Sequence, residues 1–348
     1  MAEILVARLG EMALAEEAVA KGTKVVNANL VDGTKSKIRV FDLTYTPDVT
    51  IFERNTAGPT LSRYSHLVGQ TLGKLSGKCE VRKTAAAGTA DAYQLLWQAA
   101  GMKLASSIWT RTTDQSLHKT INCYCFMGSS GVATVRIGLR GAMCTSFKFV
   151  GKVGQPLMIE WELMGVSSRI AAADADGTPT NTFSLRPTDD VLNTVSHEAG
   201  VPNIFQGVAM TVGTGTKRLS TFELDLGLTT AAREDVSSAE GVLHYVITDA
   251  SPTVTIDPEF GLVGDGTLAG GTGGDDWFTP LNEGEQAALA WSHLCSTSRT
   301  MAFAAPKAQI TALSPGERNG IKTMGVTMKL NRSTDDVFGD DEFTITES

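Results

Sequence analysis

The segment Arg140–Gly165, RGAMCTSFKFVGKVGQPLMIEWELMG, constrains the fold of this chain more than any other. Leu157, Ile159, Trp161 and Leu163 alternate with Met158, Glu160, Glu162 and Met164. A period of two belongs to a strand with one dry and one wet side, not to a helix. On the preceding stretch Thr145, Phe147 and Phe149 share the dry side and leave Ser146 and Lys148 on the wet one. Gly151 and Gly154 supply the turn, and Pro156 opens the second strand, where its missing N–H does least harm. A related arrangement returns later. Ala308–Leu313 is a short apolar strand, SPGERNG a turn, and Ile321–Asn331 a strand with Met324, Val326, Met328 and Leu330 on one face. Two hairpins of similar build predict a duplicated β unit.

At 348 residues the chain is long enough for two such units with substantial cores. Its 35 glycines and modest aromatic content suit many short strands and glycine-rich turns. No apolar run approaches the ~18 residues of a membrane-spanning helix. The N-terminal stretch lacks the basic and apolar regions of a secretory signal, so the chain is expected to be made in cytoplasm. Charge is uneven: residues 1–166 carry +6 and residues 167–348 carry −14, for a net −8. An acidic chain with no basic cluster is a poor nucleic-acid binder, whereas halves of unlike sign favour contact between neighbouring copies.

Along the chain, Glu3–Ala20 has Leu5, Leu9, Met12 and Val19 at helical spacing, although Ile4–Ala7 reads equally as an edge strand. Residues 1–37 are an N-terminal arm. Residues 38–165 form a first β unit, in which Pro47 marks a bulge or break in an extended Ile38–Phe52. Glu53–Gly77 reads as a long polar connection. The clearest helix is AAAGTADAYQLLWQAAG, capped by Thr89 or Asp91 and ended by Gly101, with Trp97 as a core anchor. Strands follow over 120–127, 132–139, 144–150 and 157–163. Residues 166–204, with three prolines and Asp174-Ala-Asp176-Gly177, form a linker. A second β unit, 205–348, has strands at 205–211, 219–228, 242–248, 287–294, 301–305, 308–313 and 321–331. The interval Asp257–Pro280 is mostly glycine-rich loop, without a counterpart to the first helix.

Residue chemistry offers no catalytic, cofactor or metal site. The histidines at 66, 118, 197, 244 and 293 fall in no metal-binding spacing, and the cysteines at 79, 123, 125, 144 and 295 read as buried apolar side chains. Gly128-Ser-Ser-Gly131 is one residue short of a nucleophile elbow. Gly270-Gly-Thr-Gly-Gly-Asp275 is a single calcium half-site of a kind that needs stacked repeats. Asp174 and Asp176 lack the later ligands of an EF-hand loop. Glu160 and Glu162 share the wet side of one strand, where solvation accounts for them.

The order of certain phrases resembles the tail tube, or major tail, proteins of long-tailed bacteriophages. FERN is followed by VGQTLGKLSGKCEV, then by the helix AGTADAYQLLWQAAGM and by the hairpin described first. GVLHYVITDASPTVTIDPE, AAPKAQITALSPGERNGI and the closing GDDEFTI do the same in the second half. The resemblance spans residues 38–165 and 219–348. It implies a mainly β fold of two tail-tube-like β-sandwich units, with at least one flanking helix, forming a ring with a β-barrel lumen. It further implies a structural, non-enzymatic virion protein, stacked as rings into the tube through which the phage genome is ejected. Other ring-forming tail components, a terminator or a distal-tail or baseplate protein, and less closely a virion carbohydrate-binding β-sandwich, remain alternatives.

Two units per chain imply homotrimeric, pseudo-hexameric rings whose partners are further copies and the tail proteins at the tube ends. DNA passes without specific binding, and no membrane is involved. A lumen that lets DNA slide is polar and acidic, which points to Glu160 and Glu162 as lumen-facing. Arg54–Ser76 and Thr229–Glu240 are expected to be arms reaching the next ring, with Arg54, Asn55, Arg63, Tyr64, His66, Arg233, Glu234 and Asp235 as contact residues.

Overall fold

A computed structural model describes residues 10–17, 20–22, 37–54, 64–83, 90–127, 135–167, 183–185, 201–213, 215–238, 240–259, 276–296, 299–333 and 340–348. The chain is mainly β, and its strands pair antiparallel. In the first half these are β1 (Gly10–Glu16), β2 (Lys37–Ile38), β3 (Phe41–Phe52), β4 (Leu67–Glu80), β5 (Met102–Ala105), β6 (Ile108–Arg111), β7 (Ile121–Met127), β8 (Val135–Lys152) and β9 (Met158–Ser167). Then come β10 (Phe183–Leu185), β11 (Met210–Val212), β12 (Gly215–Lys217), β13 (Thr221–Asp225), β14 (Leu228–Glu234), β15 (Val242–Ala250) and β16 (Thr253–Ile256). The chain closes with β17 (Gln286–Ser296), β18 (Arg299–Arg318), β19 (Ile321–Asn331) and β20 (Thr344–Glu347). Among the described residues two short α-helices, α1 (Leu95–Ala99) and α2 (Phe278–Glu283), interrupt them.

The expected hairpins are β8–β9 and β18–β19, each at the end of a four-strand run. Pairing proceeds β8–β9–β4–β3 in the first half and β18–β19–β16–β13 in the second. The bulges correspond as well. Thr145 is the extra residue opposite β9 and Thr311 the extra residue opposite β19. Thr145 donates its hydroxyl to the Glu162 carbonyl at 3.4 Å, and Thr311 donates to that of Thr327 at 3.2 Å. The two runs meet directly, because β13 pairs with the end of β8, from Thr221 opposite Lys152 to Asp225 opposite Lys148. One ladder therefore crosses from one half of the chain to the other.

In chain order a helix lies between the first two strands of each run and its last two. Asp91 precedes the helical turns that end in α1, and its N–H donates to Gln94 Oε1 at 2.7 Å. Gly101, at φ 79°, ends the segment in a left-handed conformation that an L side chain resists. In the second half α2 lies where a glycine-rich loop was expected to run through to Pro280. The tryptophan just before it, Trp277, is fully buried, as is Trp97. One apolar core holds both halves. Trp97 packs edge-on against Trp109 and Phe149, at 5.0 and 4.9 Å between ring centroids, and Trp291 stacks on Phe303 at 5.8 Å. Such pairs add about 0.5–1.5 kcal/mol each beyond their buried area.

Several expectations from spacing are corrected. Residues 10–16 are strand rather than helix: β1 pairs with β7 along its whole length, and Met12, Ala13, Leu14 and Ala15 are all buried. A strand covered on both sides carries no period-two signature, so its apolar run mimics a helix. The expected breaks at 140–143, 306–307 and 314–318 do not exist. β8 and β18 run through them, and the second hairpin turns only at Asn319–Gly320. Residues 67–77 are strand, so the polar connection there shortens to 53–66. The interval 229–240 is strand β14 and a hairpin tip rather than an open connection.

Buried polar groups tie distant segments together. The Lys83 ammonium lies 3.2 Å from Asp91 and 3.0 Å from Glu347, whose carboxylate also accepts from Trp109 Nε1 at 3.0 Å. That hub fixes the C-terminal strand β20 between β18 and β6. Glu17 accepts from Gly22 N, Thr120 Oγ1, Asn122 Nδ2 and Gly141 N, at 2.5–2.6 Å.

Candidate functional site

The sheet face opposite the core carries the charged residues singled out by the alternation on β9. Their partners stand on neighbouring strands. Lys78, Glu160, Lys148 and Asp225 lie directly opposite one another across β4, β9, β8 and β13, so the row alternates in sign. Lys78 Nζ is 2.9 Å from Glu160, and Lys148 Nζ is 2.9 Å from both Glu223 and Asp225. One row along, Lys74 meets Glu162 at 2.6 Å, and Thr145 donates to the same carboxylate at 2.9 Å. Bonds to Glu223 and Asp225 push the Lys148 ammonium well above the usual lysine range, and the Glu160 bond raises that of Lys78. These groups are partly exposed, so each pair contributes only about 0–1 kcal/mol. Their main effect is to leave Glu160 and Glu162 neutralised by lysines rather than presented as a bare acidic surface. The face continues over the second run with threonines, Thr255 and Thr327 lying 3.5 Å apart.

A second layer covers part of this face. Asp225 pairs with Thr253 and Leu228 with Ala250, the same register on either side of a bend at Leu226–Gly227. β13–β16 and β14–β15 are thus one long hairpin whose outer part leaves the main sheet. Its Val242, Tyr245 and Ile247 pack on Leu72, Met143 and Val166 of β4, β8 and β9. Arg233 and Glu234 are exposed at its end, and Asp235 opens the tip by accepting from Ser237 N at 2.8 Å. Of the other arm residues, Arg54 lies over the Tyr64 ring, 5.3 Å from its centroid, and His66 is exposed. Asn55 and Arg63 lie outside the described residues. The two arms touch within one chain, through Gln70 Nε2 donating to Glu234 at 3.1 Å. Sequence reading placed Lys148 on the wet side but not its ion pairs, and did not single out Lys78 or Asp225, because those pairs depend on which strands become neighbours.

Groups suited to chemistry are scattered or occupied. Among the described residues no cluster of His, Cys, Asp and Glu could hold a metal ion. The five cysteines are buried and unbridged, and burial pushes the Cys123, Cys144 and Cys295 thiols up, the last to about 12. Burial lowers His118, His244 and His293, so they stay neutral near pH 7. An open cavity of about 580 Å³ is lined by Asn203, Gln206, Ser292, His293 and Thr300. A cleft of about 230 Å³ holds Arg111 and His118, but Arg111 is paired with Glu342 at 2.5 Å. His197, the linker aspartates 174 and 176, and the 270–275 half-site lie outside the described residues. No helix among the described residues is long and apolar enough to cross a membrane.

The open edges of the sheet are the other unusual feature. β3 pairs with β4 on one side, and no described strand pairs along the other. Among the described strands, β18 beyond Ile310 pairs with β19 alone. No protein-family model matches the chain, and no curated protein matches it.

Proposed function

We propose that the protein is a structural subunit that closes with two further copies into a ring, and that stacked rings form the tail tube of a long-tailed bacteriophage. The observation that carries this reading is the doubled four-strand run, joined edge to edge within one chain and with no described strand paired along the outer edge at either end. A unit whose last edge fits its own first edge is a head-to-tail element. Repeated with rotation, it either closes into a ring or continues as a filament. Three copies would supply six runs, a barrel with no free edge. The two units are then the tail-tube-like sandwiches that the sequence resembles, and the reading assigns the chain no catalysis.

The polar face suits a lumen through which DNA slides. Phosphate binding is driven by cations that exchange their counterions for phosphates. Lysines already paired with carboxylates, as Lys74, Lys78 and Lys148 are, offer little of that. Glu160 and Glu162 remain the proposed lumen-facing residues in this balanced form, and the arms around Arg54–His66 and Arg233–Asp235 the proposed contacts to the next ring. Electron microscopy of the concentrated protein tests the reading. Hollow tubes with three chains per ring support it. Six whole chains per ring would refute the doubled unit, and isolated rings would favour a terminator or distal-tail component.

A further inference from the structure

Building on the ring reading, we propose that neighbouring copies join by antiparallel pairing of β3 with the outer part of β18, with Thr46 opposite Ser314. We further propose that Pro47 and Pro315 act as a brake on that seam. The chain contains its own template for the contact. Across the first run Cys144, Leu163, Leu75 and Tyr45 are successive partners; across the second they are Ile310, Met328, Val254 and Leu224. With the bulges Thr145 and Thr311 superposed, Phe147, Lys148 and Phe149 correspond to Leu313, Ser314 and Pro315. By the same rows Asp225 and Leu226 correspond to Thr46 and Pro47. The inner seam sets Asp225 opposite Lys148. Its equivalent between copies therefore sets Thr46 opposite Ser314, both of which are exposed.

The substitutions at the outer seam are specific. On the inner seam Leu226 N donates to the Phe147 carbonyl at 3.1 Å. Its counterpart Pro47 has no N–H. Alternate residues of a strand direct their backbone groups to the same side, so Phe149 also faces β13. Its counterpart Pro315 has no N–H either. An outer seam is thus short of two backbone donors that the inner one has, and prolines at such positions blunt indiscriminate edge pairing. Apolar burial favours the contact instead. The outer part of β3–β4 corresponds to the covering layer β14–β15, yet Val49, Ile51, Phe52 and Leu67 on it are exposed. In the next copy they would lie over β18 and β19, as β14–β15 lies over β8 and β9.

The test uses the full chain carrying Thr46→Cys with Ser314→Cys, treated with a mild oxidant under assembly conditions. The five native cysteines are buried and do not compete. Non-hydrogen-bonded partners lie ~4.5 Å apart between Cα atoms, within disulfide reach. Dimers and trimers on a non-reducing gel are expected, with none from the off-register pair Thr46→Cys with Gly316→Cys. Rings seen by microscopy without the Thr46–Ser314 cross-link, or with equal cross-linking off register, would overturn the seam and leave the ring reading intact. Absence of any ring or tube would overturn both. For the brake, Pro47→Val and Pro315→Val should each lower the protein concentration needed for assembly by roughly two- to tenfold, the worth of one restored backbone hydrogen bond. An unchanged or higher threshold in both variants, with the subunit folded by circular dichroism, would overturn it.

Discussion

Replacing Lys83 with Met tests whether the C-terminal strand is held by charge or merely packed. The Lys83 side chain is only 2 % exposed, between the carboxylates of Asp91 and Glu347 at 3.2 and 3.0 Å. Methionine fills nearly the space of the lysine stem, so the perturbation is the loss of the cation. Two buried carboxylates would then lose the cation they share, while Glu347 keeps the neutral donors Trp109 and Gln94. Breaking a buried pair from one side costs about 3–5 kcal/mol. An exposed pair such as Lys322–Glu317, at 2.8 Å, contributes about 0–1 kcal/mol. Lys83→Met should therefore lower the unfolding free energy by about 3–5 kcal/mol, and Lys322→Met by less than about 1 kcal/mol. At roughly 2 °C per kcal/mol for a chain of this size, the first corresponds to a fall in Tm of about 6–10 °C. Urea titration of the unassembled subunit, followed by tryptophan fluorescence and far-ultraviolet circular dichroism, measures both. Adding Glu347→Gln to Lys83→Met should recover part of the loss, because it removes one of the stranded charges. A loss below about 1 kcal/mol for Lys83→Met, or a double variant as weak as the sum of its parts, would refute the reasoning.

Other outcomes follow from the same geometry. Burial raises the Glu17 carboxyl above 4.5, against opposing bonds from Thr120, Gly141 and Gly22. The native state then binds the proton more tightly than the unfolded chain, so this residue favours folding at low pH, and that contribution fades as pH rises from 4.5 through its folded value. His118, His244 and His293, all lowered, act oppositely below pH 6.5, so the Glu17 contribution is read as the difference in slope between wild type and Glu17→Gln. Identical slopes of urea midpoint against pH would count against it. Gly227→Ala should cost at least about 2 kcal/mol, since φ is 55° and a Cβ would stand 2.3 Å from the Ser251 carbonyl oxygen. Gly154→Ala, at φ 80° with open space around it, should cost only about 1–2 kcal/mol. Equal urea midpoints for the two variants would show that the bend at Gly227 is not sterically fixed.

What the sequence determined by itself is local. The alternation of Leu157–Leu163 and of Met324–Leu330 imposes strands with one buried side, and Leu157, Ile159, Leu163, Val326, Met328 and Leu330 are buried. Asp91, the Ala-Leu-rich stretch and Gly101 define a short helix, because capping and left-handed termination are properties of a few adjacent residues. Trp97 as a core anchor and the cysteines as buried thiols were legible for the same reason. Only the tertiary structure decided which edges meet. Nothing near Gly10–Glu16 announces β7 as its partner, and a strand buried on both sides has no periodicity to announce itself. Pairing of β13 with β8 joins residues 69 to 77 positions apart, a choice set by register and by the ends of a duplicated run rather than by any motif. That choice places Lys148 beside Glu223 and Asp225 on the polar face. The sequence showed that face as wet, but Coulomb attraction acts on distance in space, and only the pairing of strands sets that distance.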